Sequence, residues 1–382
     1  MLFRFVLTVA AVTTSTGAAT GAGAGGAAGS ITLSGSTATT GALTTSGGSN
    51  GAGGNVSVTA TSGAVSIGGA ITTNGGNSLA VAVAGGNAGT ITLDAGAVTP
   101  SITLAGNLSA NGGNKSGAGV AGAGAQIQLL DDVLLNAATV TVSALGGSAG
   151  VGAGGNVIFD KQVDSTGGAK SLVVNTNGNT VFTGAVGATS PLQTLTTDTA
   201  GTTKINGGTV TTVGTQTYND TLVLGAATKL TTTDSAVTAA GAVTATSGAL
   251  TLAVGAGDVT MNNVSNDFGT VAVISGKNVT LRDKNALDLG ASAITGTLTV
   301  NTSGAITQSG AMAVTGVTTL AAGVGNNIIL SNTANDFSTV TVTTGNNITV
   351  NDKNAMTAGP VTAAGNVLLQ TATGVGNSLT LA

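Results

Sequence analysis

Residues 171–193 read SLVVNTNGNTVFTGAVGATSPLQ, and residues 194–216, which follow without a gap, read TLTTDTAGTTKINGGTVTTVGTQ. Laid one over the other, Leu172 falls on Leu195, Gly178 on Gly201, Phe182 on Ile205 and Gly184 on Gly207; a further step puts Leu195 on Tyr218. A period of about 23 residues is that of a solenoid, in which each coil is too small to bury its own apolar face and does so by stacking on its neighbours. Within each unit apolar and polar residues alternate, which in an extended strand sends one set of side chains inward and the other outward. Downstream the sequence repeats over a longer interval. Asn266-Asp267-Phe268 returns as Asn335-Asp336-Phe337, and Asp283-Lys284-Asn285-Ala286 as Asp352-Lys353-Asn354-Ala355. That shift, about 69 residues, reads as three of the shorter units.

The rest of the chain agrees. Ile91-Thr92-Leu93, Ile102-Thr103-Leu104, Val140-Thr141-Val142 and Ile348-Thr349-Val350 are strand signals, and Asn74-Gly75-Gly76 and Asn206-Gly207-Gly208 are turn signals. Charged residues are 6% of the 382, hydrophobic residues 41% and aromatic residues 2%, so a core exists and is aliphatic. Threonine and valine favour strands, and the usual surface-helix formers are sparse or, for glutamate, absent. The class is all-β: a right-handed parallel β-helix over residues 31–382, built of coils of roughly 23 residues, with more irregular loops in its first part. A propeller would need blades of about 40 residues with aromatic signatures.

Residues 1–30 form a leader. Met1-Leu2-Phe3-Arg4, the apolar run from Phe5 to Val12 and Gly17-Ala18-Ala19 have the layout of a short signal peptide; the other reading is one more strand. The chain ends in strand-like sequence, Leu379-Thr380-Leu381-Ala382, as a fragment of a longer protein would. With ten Lys and Arg scattered singly and a net charge of −4, there is no basic stripe for nucleic acid. Without Cys or His there is no thiolate or imidazole metal site, and no cofactor or metal is expected.

Residues 134–233 resemble the strand-repeat regions of filamentous-haemagglutinin-like and autotransporter-like bacterial surface adhesins. The resemblance is carried by Gly155-Asn156-Val157-Ile158-Phe159, Ser171-Leu172-Val173-Val174-Asn175, Asn179-Thr180-Val181-Phe182, Ile205-Asn206-Gly207-Gly208 and Gln216-Thr217-Tyr218-Asn219-Asp220. It implies a parallel β-helix, export through outer-membrane secretion machinery to the cell surface, and adhesion to glycans or proteins of a host or a neighbouring cell. No secretion-recognition domain and no membrane-barrel domain are recognisable.

Catalytic constellations are thin. Some β-helices are polysaccharide hydrolases or lyases with clustered Asp carboxylates, a His and a basic pair. Here Asp131-Asp132 is the one adjacent acidic pair, and neighbours on a strand point to opposite faces. Asp283 and Lys284 beside Arg282 could serve a calcium-dependent lyase, but Asp352-Lys353 repeats them, and repetition speaks for turn residues. Gly255-Ala256-Gly257-Asp258 lacks the tandem pattern of a calcium repeat, and no Lys-Ser/Thr follows the glycines of 21–26 as a phosphate loop requires. Threonine stripes at Thr139-Val140-Thr141 and Thr339-Val340-Thr341-Val342-Thr343 could form an ice-binding lattice, but neighbouring coils are expected to break them. The expectation is an adhesive or spacing rod, not an enzyme, with the longer loops at 111–124 and 146–155 as contact surfaces and no nameable binding residue.

Overall fold

A computed structural model of the chain describes residues 6–14, 25–79, 82–96, 101–148, 152–245, 247–372 and 377–381. These residues form strands and no helix, and every strand pairing is parallel between successive coils, in sheets not closed into a barrel. The fold is a parallel β-solenoid. Two compact units, 1–207 and 208–382, are distinguished by their internal contacts. Half of the leader, residues 1–5 and 15–24 with Gly17-Ala18-Ala19, lies outside the described residues. Its apolar run forms the strand Val6–Thr13, paired with Thr37–Thr44.

In the first unit one column runs through Ile31–Gly35, Val56–Ala60, Ile91–Asp94, Ile127–Leu129, Val157–Phe159, Asn179–Phe182 and Thr202–Ile205, each in register with the next. The alternation seen in sequence now has its partner side chains. Val58, Leu93, Leu129, Phe159, Phe182 and Ile205 stack in a buried ladder. Burying each such side chain stabilises the fold by roughly 1.5–3 kcal/mol. The Phe159 and Phe182 rings lie 5.1 Å apart and 13° from parallel.

The coil length is not constant, which corrects the expectation of roughly 23 residues throughout. The register steps are 35 residues from Val56 to Ile91, 36 from Ile91 to Ile127 and 30 from Ile127 to Val157, falling to 23 from Val157 to Thr180. The long coils carry an excursion between the last strand of one turn and the first strand of the next. The aliphatic ladder continues past it because only the strands line the core.

In the second unit the steps are shorter: 20 from Val259 to Val279, 19 from Val279 to Leu298, 20 from Leu298 to Thr318 and 22 from Thr318 to Val340. Three coils from Val279 to Val340 therefore take 61 residues. The repeat of about 69 is thus not three coils, as its ratio to 23 suggested, but three coils and one further side. Strand positions confirm it. Val259–Met261 stacks with Val279–Asp283 and Leu298–Thr302, whereas its counterpart Ile328–Leu330 stacks between Ile306–Gln308 and Ile348–Asp352. Each repeat places its features on the next side of the coil.

Candidate functional site

The long excursions of the first unit are not irregular loops. In each of the three long coils, and in the coil of 25 residues before them, the chain runs out through a Gly-Gly pair (Gly47-Gly48, Gly75-Gly76, Gly112-Gly113, Gly146-Gly147) and returns through a second glycine-rich run. The runs stack as two layers. The residues 111–114 show how every backbone N–H is satisfied. Gly112 donates to the Leu145 carbonyl of the next coil (2.9 Å), Gly113 donates across the layers to Gly86 (2.8 Å), and Asn111 and Asn114 donate to the Oδ1 atoms of Asn74 and Asn77 (each 2.8 Å). The hydrogen-bond partners repeat every three residues with no bond inside the run, unlike the two-residue alternation of a β-strand ladder. The cross-layer bonds continue as Gly76 to Gly51, Gly86 to Gly76, Gly122 to Gly113 and Gly147 to Gly122, at 2.8–2.9 Å.

Both members of Gly75-Gly76, Gly112-Gly113 and Gly146-Gly147 are required, for different reasons. A Cβ on Gly75 would stand 1.8 Å from the Gly86 carbonyl oxygen of the returning run, and one on Gly76 would stand 1.6 Å from that of Gly48 in the preceding coil. Gly112 and Gly113 repeat this against Gly122 and Gly76, each at 2.0 Å. The layers are close enough to hydrogen-bond only because no side chain intervenes. The sequence signal was present in the recurring Gly-Gly-Asn/Ser, but turn chemistry explains it equally well. The outer face of the outgoing runs is a shallow groove lined by Asn74, Asn77, Asn111, Asn114, Leu145 and Ser148.

The second unit holds a different device, twice. Asn266 and Asn335 are fully buried. Each amide nitrogen of the pair donates to backbone carbonyls five residues before and 16 residues after it, Met261 and Arg282 for Asn266, Leu330 and Asn351 for Asn335. The Oδ1 atoms accept from the Val243 and Met312 N–H groups at 2.8 and 2.9 Å. Asp283 accepts from the N–H groups of Phe268 (2.6 Å) and Asn285 (2.7 Å), and Asp352 from Phe337 (2.6 Å) and Asn354 (3.0 Å). On the surface Lys284 pairs with Asp267 at 2.8 Å and Lys353 with Asp336 at 2.9 Å. Burial raises the Asp283 and Asp352 carboxyls against the backbone hydrogen bonds that lower them. The hydrogen bonds from Lys284 and Lys353 hold Asp267 and Asp336 below the usual range. Asp283-Lys284 and Asp352-Lys353, weighed above as a lyase centre, are therefore the anchors of two equivalent coil corners.

The remaining acidic candidates are placed separately. Asp131 accepts from the Ala95 N–H of the preceding coil (2.8 Å), and Asp132 from the Gln162 N–H of the following one (3.1 Å). Asp131 instead approaches Asp94, whose carboxyl is raised by burial and then by the Asp131 charge and hydrogen bond. Asp258 accepts from the N–H and side-chain amide of Asn278. Among the described residues no three acidic side chains are grouped so as to hold a metal ion.

The two threonine stripes differ in outcome: Thr139 and Thr141 meet Ser171 and Val173 in the next coil, as expected, whereas the expectation fails for the column that holds Thr341. Thr217, Thr238, Thr260, Thr280, Thr299, Thr319 and Thr341 follow one another in seven successive coils of the second unit, on the outward face. This column is unbroken, although the stripes on either side of it are not. Its residues lie outside any single repeat (Thr260 corresponds to Ile329), so sequence alignment does not reveal it.

Residues 213–275 and 276–344 each match a family model described as repeats of unknown function (DUF5649). Together they make up a little over a third of the chain, and their ends, 275 and 344, fall at the same point of the longer repeat. No curated protein and no solved structure matches. Fold and matches together define a repeat protein built as a parallel β-solenoid.

Proposed function

We propose that this chain is an adhesive and spacing shaft of a secreted bacterial surface protein, held at the outside of the cell and acting mechanically, without catalysis. One observation carries the reading: the surface consists of ladders that recur coil after coil, while the carboxylates of Asp131, Asp132, Asp258, Asp283 and Asp352 are each committed to backbone N–H groups. Recurrent ladders provide weak contacts in multiple copies, which is how a long surface gains avidity from individually weak bonds. Its partners on this reading are glycans or proteins on a host or neighbouring cell, and the outer-membrane machinery that exports it. The resemblance of residues 134–233 to surface adhesins supports the same view. The test is display of the chain on a non-adherent bacterium with tethering of cells counted under flow. Adhesion is expected to rise with no release of reducing sugar from acidic or neutral polysaccharides. Sugar release would instead favour the hydrolase or lyase alternative.

A second reading, ice binding, is favoured by the threonine column alone. The column is one residue wide, bordered by Asp258 and Asn278 on one side and by Asn262, Arg282 and Asn301 on the other, which ranks it below adhesion. Thermal hysteresis that disappears in Thr280→Lys would establish it.

A further inference from the structure

The groove on the outer face of the glycine layers has a chemical polarity that hydrogen bonding imposes. A backbone N–H can only donate, so the asparagine atom that meets it is the amide oxygen. Asn74 Oδ1 is taken by the Asn111 N–H and the Ser109 hydroxyl, Asn77 Oδ1 by the Asn114 N–H, and Asn114 Oδ1 by the Ser148 N–H and hydroxyl, at 2.7–2.8 Å. The acceptor end of each amide is consumed inside the stack. The NH₂ ends of Asn74, Asn77 and Asn114 are left without a protein acceptor among the described residues, while that of Asn111 reaches Ser109 Oγ at 3.1 Å. Asn77, Asn114 and Ser148 are exposed. The coil of Asn74 and Asn77 and the coil of Asn114 therefore present free amide donors one interstrand step (about 4.8 Å) apart, while the Ser148 hydroxyl proton is already given to Asn114 Oδ1.

The charge agrees with this polarity. Between residues 5 and 93 there is no ionisable side chain, between 95 and 130 the only one is Lys115, beside Asn114, and between 133 and 159 there is none. A groove with outward amide donors on adjacent coils, a cation next to it in the chain and no carboxylate among its lining residues fits a ligand rich in acceptors, carried at regular intervals on an extended chain. A single lysine is too little to track the phosphates of a nucleic acid.

We infer that the groove lined by Asn74, Asn77, Asn111, Asn114, Leu145 and Ser148 binds a linear, carboxylate-bearing polysaccharide, a polyuronate, laid along the stack of coils. The inference rests on the adhesive reading for its setting and gives that reading a partner class.

The experiment uses the purified full chain in affinity electrophoresis through soluble polymannuronate, with the carboxyl-reduced neutral polymer as control. The wild type is retarded by the polyuronate and not by the neutral polymer. In Asn77→Asp/Asn114→Asp an oxygen still faces each backbone N–H but the outward donor becomes an acceptor, and the affinity falls at least about tenfold. Lys115→Glu leaves every rung bond intact and falls in the same direction, which keeps the test decisive if the double variant perturbs the fold. Equal retardation by both polymers, or unchanged affinity in Lys115→Glu, overturns the inference. A wild type that ignores polyuronate yet tethers cells overturns the groove and leaves the shaft standing; one that binds polyuronate but tethers no cells does the reverse.

Discussion

The Phe337 N–H donates a 2.6 Å hydrogen bond to the buried carboxylate of Asp352, 15 residues further along the chain. The same bond, at the same length, joins Phe268 to Asp283. A charged acceptor bonded to two N–H groups is stronger than a neutral one, and it fixes the corner where the chain turns from one side of the coil to the next. The repeat length, three coils and a side, means that the two corners serve different sides with one design.

Removal of that carboxylate leaves buried donors unpaired. Asp352→Ala is expected to destabilise the second unit by roughly 1–3 kcal/mol for each N–H left without a partner. Asn354→Ala, which removes only a surface bond to Asp336, is expected to cost well under half as much. Limited proteolysis and urea unfolding of the two variants check the order.

The acid response of the corners has two opposing parts. Asp267 and Asp336 are lowered by their lysines, so their contribution is present above the unfolded carboxyl pKa and is lost as pH falls through the folded value. Asp283 and Asp352 are raised, so theirs is complete below the unfolded pKa and is lost as pH rises through the folded value. Asp267→Asn/Asp336→Asn is therefore expected to lose less stability than the wild type between pH 7 and pH 3. The surface pairs are screened by solvent and contribute at most about 1 kcal/mol each. Melting temperatures at both pH values, repeated in high salt where the difference should shrink, measure it.

Gly113→Ala is expected to disrupt the glycine layers, because its Cβ would lie 2.0 Å from the backbone oxygen of Gly76, which cannot rotate away. Gly325→Ala meets no atom within 4 Å and is expected to be neutral within about 0.5 kcal/mol. Hydrogen exchange at residues 75–78 and 111–114 should accelerate in the first variant and not in the second.

Tyr218 is the only tyrosine, and there is no tryptophan, so its ionisation can be read without interference. It is fully buried, and its hydroxyl donates to Gln216 Oε1 at 3.0 Å. Burial first and the Asp220 charge second raise its pKa far above the ordinary phenol value. Raised in the folded state, it contributes stability that is complete below the unfolded pKa, about 10, and is lost at higher pH. Tyrosinate absorbance should thus stay flat in alkali and appear together with unfolding. A smooth titration near pH 10 in the folded protein would contradict the burial.

Much of the fold was legible in the sequence, because a solenoid repeats its instructions. Leu172 on Leu195 and Phe182 on Ile205 are cross-coil neighbours in the structure as they are in the alignment. Alternation fixes which face of a strand is buried, and near-identical coils make the stacking partner of each strand another copy of itself. Composition alone, with no Cys and no His, also rules out thiolate and imidazole metal ligands. Register was beyond it, since which residue meets which across coils depends on the exact length of every turn. The seven-threonine column, the commitment of Asp131 and Asp132 to different coils, and the placing of Asn335 one side on from Asn266 all follow from those lengths. The glycine layers were hidden for a different reason. Gly-Gly-Asn specifies a turn or a close backbone contact equally well, and only the arrival of a neighbouring run, with a carbonyl where a Cβ would be, decides between them.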